Sequence, residues 1–99
     1  MEFLVNININ PPATMAAAEW DQLATDERKM AARLAEQGHL KRMWRVPGRR
    51  ENWGLWEAAD PTEIHKIISG LPVWPYMDVR VYALGAHPVD PRNPATSDG

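Results

Sequence analysis

Residues 2–10, EFLVNININ, alternate without a break between two sets of side chains. Phe3, Val5, Ile7 and Ile9 point to one face of an extended chain; Leu4, Asn6, Asn8 and Asn10 point to the other. The pattern predicts a strand with one face on a core, closed by Pro11-Pro12, where no ladder can continue. Asparagines on the second face cost strand propensity and call for water or a polar partner. A chain of 99 residues has room for a single modest core. The other elements must therefore cover the apolar face of this one strand.

Thr14 is placed to cap a helix running to about Gln37, with Gly38 as its stop. The stretch TDERKMAARLAEQG has high helix propensity. Residues 40–47 and 52–58 predict two strands joined by a turn at Pro47-Gly48. In DPTEIHKIISG, Asp60 is the N-cap, Pro61 sits at N1, Glu63 supplies the capping-box carboxylate and Gly70 ends the helix. Met77 to Leu84 alternate again, with Met77, Val79, Val81 and Ala83 inward and Asp78, Arg80 and Tyr82 outward. The order β-α-β-β-α-β predicts an α+β, ferredoxin-like domain over residues 1–86, a four-stranded antiparallel sheet with two helices on one face. Residues 87–99, rich in Pro, Asn and Asp, predict an extended or disordered tail. The sheet's second face, with Asn6, Asn8, Arg80 and Tyr82 among apolar neighbours, is a candidate for subunit or ligand contact.

Composition narrows the function. A net charge of -2 gives no global attraction to nucleic acid or anionic membranes, so any cationic role must be local. With no cysteine there is no disulfide, thiolate site or Cys nucleophile. The N-terminus lacks the marks of a signal peptide, and no run approaches the roughly 20 apolar residues of a membrane span. A cytoplasmic enzyme is the expectation. His39, His65 and His87 share no metal-ligand spacing, so no metal site is expected. Neither a phosphate loop nor a G-x-S-x-G nor a dinucleotide fingerprint occurs.

Helix one carries an anomaly. Trp20, Leu23, Met30 and Leu34 form an apolar stripe with Ala31 beside it, and position 27 falls near its centre. The residue there is Glu27. A carboxylate in apolar surroundings is costly to ionise, and its pKa should rise above about 4.3, as a general base near neutral pH requires. The competing reading is a slightly rotated stripe, with Glu27 reaching the edge to pair with Arg28 or a strand arginine. Asp26 is a solvated flank.

MWRVPGRRENWGLW, residues 43–56, concentrates three arginines and three tryptophans. Alternation divides it: Met43 and Arg45 face one way, Arg42, Trp44 and Val46 the other. A single-strand binding surface needs cations and stacking aromatics on one side, and the aromatic RNP1 motif is absent. Arg49 and Arg50 belong to the turn and are expected to be solvated. Arg45, within a strand, can present a planar fork to one carboxylate or make a surface salt bridge. Asn52 opens the next strand, with turn chemistry as its plain alternative. The five tryptophans are expected in core or interface.

With Glu27, Arg45, Asn52 and LPVWPYMDV of residues 71–79 in view, the chain resembles the muconolactone Δ-isomerase family. The resemblance runs from Met1 to about Pro88, through PP at 11–12, DE at 26–27, WR at 44–45, Gly48, Asn52, LP at 71–72, PYMD at 75–78 and HP at 87–88. It implies a ferredoxin-like subunit of a homodecamer with active sites built between neighbouring subunits. It also implies cofactor-free conversion of an anionic butenolide, (+)-muconolactone, to 3-oxoadipate enol-lactone in the aromatic catabolism of the catechol/3-oxoadipate pathway. The resemblance makes Glu27 the single catalytic base and places Arg45, Asn52 and Trp53 among the substrate-binding positions. Arg45 is assigned the substrate carboxylate and Asn52 the lactone oxygens.

Departures from the family pattern fall on the pocket wall. Arg42 stands where a histidine is expected, Arg50 and Trp53 where tyrosines are, Trp56 and Trp74 where phenylalanines are, and GAHP replaces a more basic run. A chloromuconolactone dehalogenase, or an isomerase of a substituted or biosynthetic lactone, would use the same base. A non-catalytic oligomeric small-molecule-binding module is the alternative of another class. Against it stands Glu27, which a binder would gain stability by replacing.

Overall fold

The first strand of the chain becomes the centre of the sheet. The computed structural model describes residues 1–92; residues 93–99 of the expected tail lie outside them. Strand β1 (Glu2–Ile9) bonds on one side to β3 (Glu51–Glu57) and on the other to β4 (Met77–Leu84), both antiparallel. Strand β2 (Leu40–Arg45) pairs with the far side of β3, so the order is β2-β3-β1-β4. Helices α1 (Ala17–Glu36) and α2 (Pro61–Ser69) lie on one face. This is the ferredoxin-like arrangement that the element order predicts.

Register decides the core. Phe3 faces Trp56 across the β1–β3 ladder, Val5 faces Gly54 and Ile7 faces Asn52. Phe3, Val5, Ile7 and Trp56 are buried together with Leu34 of α1, Ile64 and Ile68 of α2, and Leu71. Burying each large apolar side chain is worth about 1.5–3 kcal/mol. The Trp56 ring lies back over residue 54, where a Cβ would stand 2.5 Å from its Nε1. Glycine is what lets the indole lie there.

Helix α2 starts and stops as its sequence predicts. Asp60 accepts from the Glu63 N–H at 2.8 Å, and Glu63 Oε1 accepts from the Ala59 N–H at 2.9 Å. Helix α1 departs at its start. Thr14 is not its cap: the N-cap is Ala16, which offers no side-chain acceptor. Pro12 instead accepts the Met15 N–H at 3.1 Å, so Thr14 is taken up in the turn after the prolines. The C-terminus follows expectation, with Gly38 at φ +84° and the His39 N–H reaching Leu34 O at 2.9 Å.

Strand β2 ends at Arg45, two residues short of the expected end, and β3 begins at Glu51, one residue before the expected start, because the turn takes residues 46–50. Its Gly48 adopts φ +76°. In β2 a bulge between Leu40 and Arg42 resets the alternation and leaves Met43 and Arg45 facing the helices. Val81 and Ala83 share the inner face through their pairing with Val5 and Phe3. They are nonetheless exposed, Val81 to 42%, because β4 is an edge strand and α2 has only nine residues. Among the described residues no helix is long and apolar enough to cross a membrane.

Gly54→Ala forces a methyl against the buried indole. It is expected to cost about 1–3 kcal/mol, the range of overpacking in a filled core. Urea unfolding of the two proteins measures it, and an unchanged midpoint would show that the ring has room to move.

Candidate active site

Glu27 sits on the inner side of α1 with its carboxylate half-buried. Its Oε1 accepts the Val73 N–H at 3.0 Å, from the segment between α2 and β4. Burial pushes its pKa above the ordinary carboxylate value, and the Val73 hydrogen bond offsets only part of that rise. Glu27 forms no salt bridge among the described residues, unlike Glu57 with the Met1 amino group, Glu2 with Lys41 and Glu51 with Arg49. Arg28 turns to Thr25 Oγ1 instead, at 3.3 Å. Of the two readings of Glu27, the structure holds the apolar one.

The carboxylate opens on a cleft of ≈340 Å³ between α1, the inner face of the sheet and the segment around Val73. That volume suits a small organic ligand. Ile7, Ile9, Met43, Trp20, Leu71 and Met77 make much of the wall apolar. Arg45 and Asn52 lie directly across the β2–β3 ladder from one another, and both line the cleft. Arg45 has no ion pair among the described residues. The backbone thus brings a base, a guanidinium and a carboxamide to one cavity from three elements.

Trp53 is not among them. It faces Asn6 and Trp44 in the ladders, which places it on the opposite face of the sheet, where its ring lies 6.2 Å from that of Tyr82. Residues 52 and 53 are neighbours on a strand, and the twofold period sends their side chains to opposite sides. Arg50 is exposed in the turn, as expected, and from there it also lines the cleft with Glu27. Val73 could not have been found by pattern, because its contribution is a main-chain N–H.

The aromatic, cationic patch is divided between the two faces. Arg42 stacks over the Trp44 ring at 4.9 Å on the outer side, while Arg45 serves the inner cleft. The asparagines of β1 find polar partners there, as their strand position requires. Asn6, 6% exposed, donates to Glu51 Oε2 at 3.0 Å and accepts from Asn8 Nδ2 at 2.8 Å. The Asn6 hydrogen bond, with Arg49 behind it, holds the Glu51 carboxyl below the usual range. Glu51 is therefore no rival base. Among the described residues no group of three or more His, Asp or Glu side chains could hold a metal ion.

Fold and cleft together define a class: a small ferredoxin-like protein with a half-buried carboxylate of raised pKa in a largely apolar cleft that also offers a cation and an amide. The sequence model of muconolactone delta-isomerase matches residues 1–90. Muconolactone Delta-isomerase 2 of Acinetobacter lwoffii is 37% identical over 87 residues, 88% of this chain and 91% of that protein. The muconolactone Delta-isomerase of Cupriavidus pinatubonensis is 34% identical, over 89% of this chain and 96% of its own length. A crystal structure of muconolactone isomerase superposes with a TM-score of 0.87 at 31% identity, covering 94% of this chain and 97% of that one. The chain belongs to the muconolactone Δ-isomerase family of enzymes.

Folding raises the pKa of Glu27 above its unfolded-state value. A raised carboxyl pKa contributes stability that is fully present below the unfolded-state value and is lost as pH rises through the folded-state value. Glu27→Gln keeps an acceptor for the Val73 N–H but cannot ionise. It is expected to match the native protein in acid and to exceed it in stability at neutral pH, the gap opening across that window. Urea midpoints at a series of pH values measure the gap; a constant difference across the series would mean that Glu27 titrates normally.

Proposed function

We propose that this protein isomerises (+)-muconolactone to 3-oxoadipate enol-lactone, with Glu27 as the single base. The observation that carries the reading is Glu27: half-buried, free of any salt bridge among the described residues and opening on a cleft it shares with Arg45 and Asn52. Membership of the family supports the substrate.

The chemistry follows from the substrate's conjugation. Glu27 takes the proton from the ring carbon that bears the side chain, and the electrons of that C–H bond spread through the ring double bond onto the lactone carbonyl oxygen. The same carboxyl returns the proton to the carbon beside the carbonyl. The double bond has then moved and nothing has been added or lost. Negative charge builds on oxygen in the intermediate, so a positioned donor is needed; Asn52 takes that part. Arg45 receives the substrate's carboxylate as a charge-assisted pair. The apolar wall raises the basicity of Glu27, and the step as written draws on no cofactor.

Assembly belongs to the same reading. Trp44 and Tyr82 on the outer face are exposed to 42% and 48%, and Val81 and Leu84 are exposed on the edge strand β4. So much apolar surface on so small a chain supports burial between copies, and the family resemblance sets the expectation at a homodecamer with sites completed between subunits. Sedimentation velocity should give a single species near ten chains. A stable monomer would remove the shared sites from the mechanism.

Turnover of (+)-muconolactone, followed by ultraviolet absorbance and NMR, tests the proposal. Glu27→Gln should lose about 10²-fold or more in kcat, the lower end of what a general base contributes. Hydrogen bonds to charged groups are worth roughly 1.5–3 kcal/mol, so Arg45→Ala should raise KM by about 10- to 100-fold and leave kcat nearer its native value. No turnover by the native protein, with a chlorinated lactone run alongside that does release chloride, would transfer the base to dehalogenation.

A further inference from the structure

Among the described residues, two buried atoms beside the cleft have no partner. Asn52 Oδ1 and Trp56 Nε1 are both shut off from solvent and make no hydrogen bond, although buried polar groups are almost always paired. One is an acceptor and the other a donor. They stand on the same face of β3, four residues apart with Gly54 between them, and both residues line the cavity that holds Glu27. The indole lies back over Gly54, its Nε1 2.5 Å from where a Cβ would be. Only the rise of two strand residues, roughly 6.6 Å, separates position 54 from Asn52, and the carboxamide spans part of it. No side chain at 54 fills the gap.

We propose that Trp56 is a positioning residue for the isomerisation: a small rotation of either side chain closes the indole N–H onto Oδ1 of Asn52, the two groups each lacking a partner as they stand, and so turns Nδ2 of Asn52 toward the lactone oxygen. The proposal rests on the assignment of Asn52 to that oxygen in the reading above. A carboxamide can offer a ligand either its donor or its acceptor end, and only the donor end stabilises a developing oxyanion. Indole is a donor and nothing else. It can therefore fix only the oxygen end, which settles the choice. A phenylalanine at 56, the residue expected from the family pattern, would still fill the core but would take this donor away from Asn52 in the present chain.

The test uses the full-length protein with Trp56→Phe, Asn52→Ala and the double variant. Asn52→Ala should lower kcat by about 10²-fold, the lower end of the cost of one oxyanion donor. Trp56→Phe should lower kcat by a smaller factor with KM little changed, and should do nothing further once Asn52 is alanine. Loss by the same factor in both backgrounds, or no loss in either, overturns the proposal and leaves Trp56 as packing alone. A second readout needs neither substrate nor the Trp56 variant. In ¹⁵N-labelled protein, Asn52→Ala should shift the Trp56 indole N–H resonance and speed its exchange with solvent; an unmoved resonance also overturns the pairing. A moved resonance in a protein that does not turn over muconolactone would keep the Trp56–Asn52 pair and remove the lactone as the ligand it serves. The two readings can therefore fail separately.

Discussion

The register of β1 against β3 is the constraint on which the rest of the molecule depends. It sets Phe3 against Trp56 in the core, Val5 against Gly54 beneath the indole, and Ile7 against Asn52 at the floor of the cleft. A slip of one residue would turn Trp56 and Asn52 to the outer face and bring Trp53 and Leu55 inward. Core and site are thus held by the same ladder. The large buried ring that anchors the fold stands two pleats from the carboxamide assigned to the substrate.

Glu27 shows how a small domain raises a carboxylate's basicity by burial, without a second charge. Ionising it is costly because α1 turns it toward apolar residues. The one compensating contact is a neutral backbone N–H, which offsets the burial only in part. A salt bridge would have cancelled the effect. Of the arginines lining the cleft, Arg28 of α1 turns to Thr25, while Arg45 of β2 and Arg50 of the turn after it are placed to meet a ligand's charge. The carboxylate's basicity is therefore drawn from stability, a trade common at functional sites.

The elements were legible because each carries local signals that agree with its place in the fold. Alternation in β1, the Asp60–Pro61–Glu63 start of α2 and the Gly38 stop of α1 all act over a few residues, and all three hold. The α1 start was misread because Thr14, an ordinary cap by type, is drawn into the turn that Pro11 and Pro12 begin. The burial of Val81 and Ala83 was over-read for another reason. Alternation gives the direction of a side chain but not the length of the helix meant to cover it.

The sequence by itself determined the α+β class, the strand faces, and the placing of a glutamate where a leucine belonged. These follow from periods of 2.0 and 3.6 residues, which are properties of the backbone. Only the tertiary structure decided what that glutamate meets. Its hydrogen bond comes from Val73, 46 residues away, through a main-chain group that no side-chain pattern reveals. Tertiary structure also brought Arg50 to the cleft and left Asn52 Oδ1 and Trp56 Nε1 unpaired near Gly54. Such contacts depend on how the elements pack against one another, and periodicity within one element does not report that.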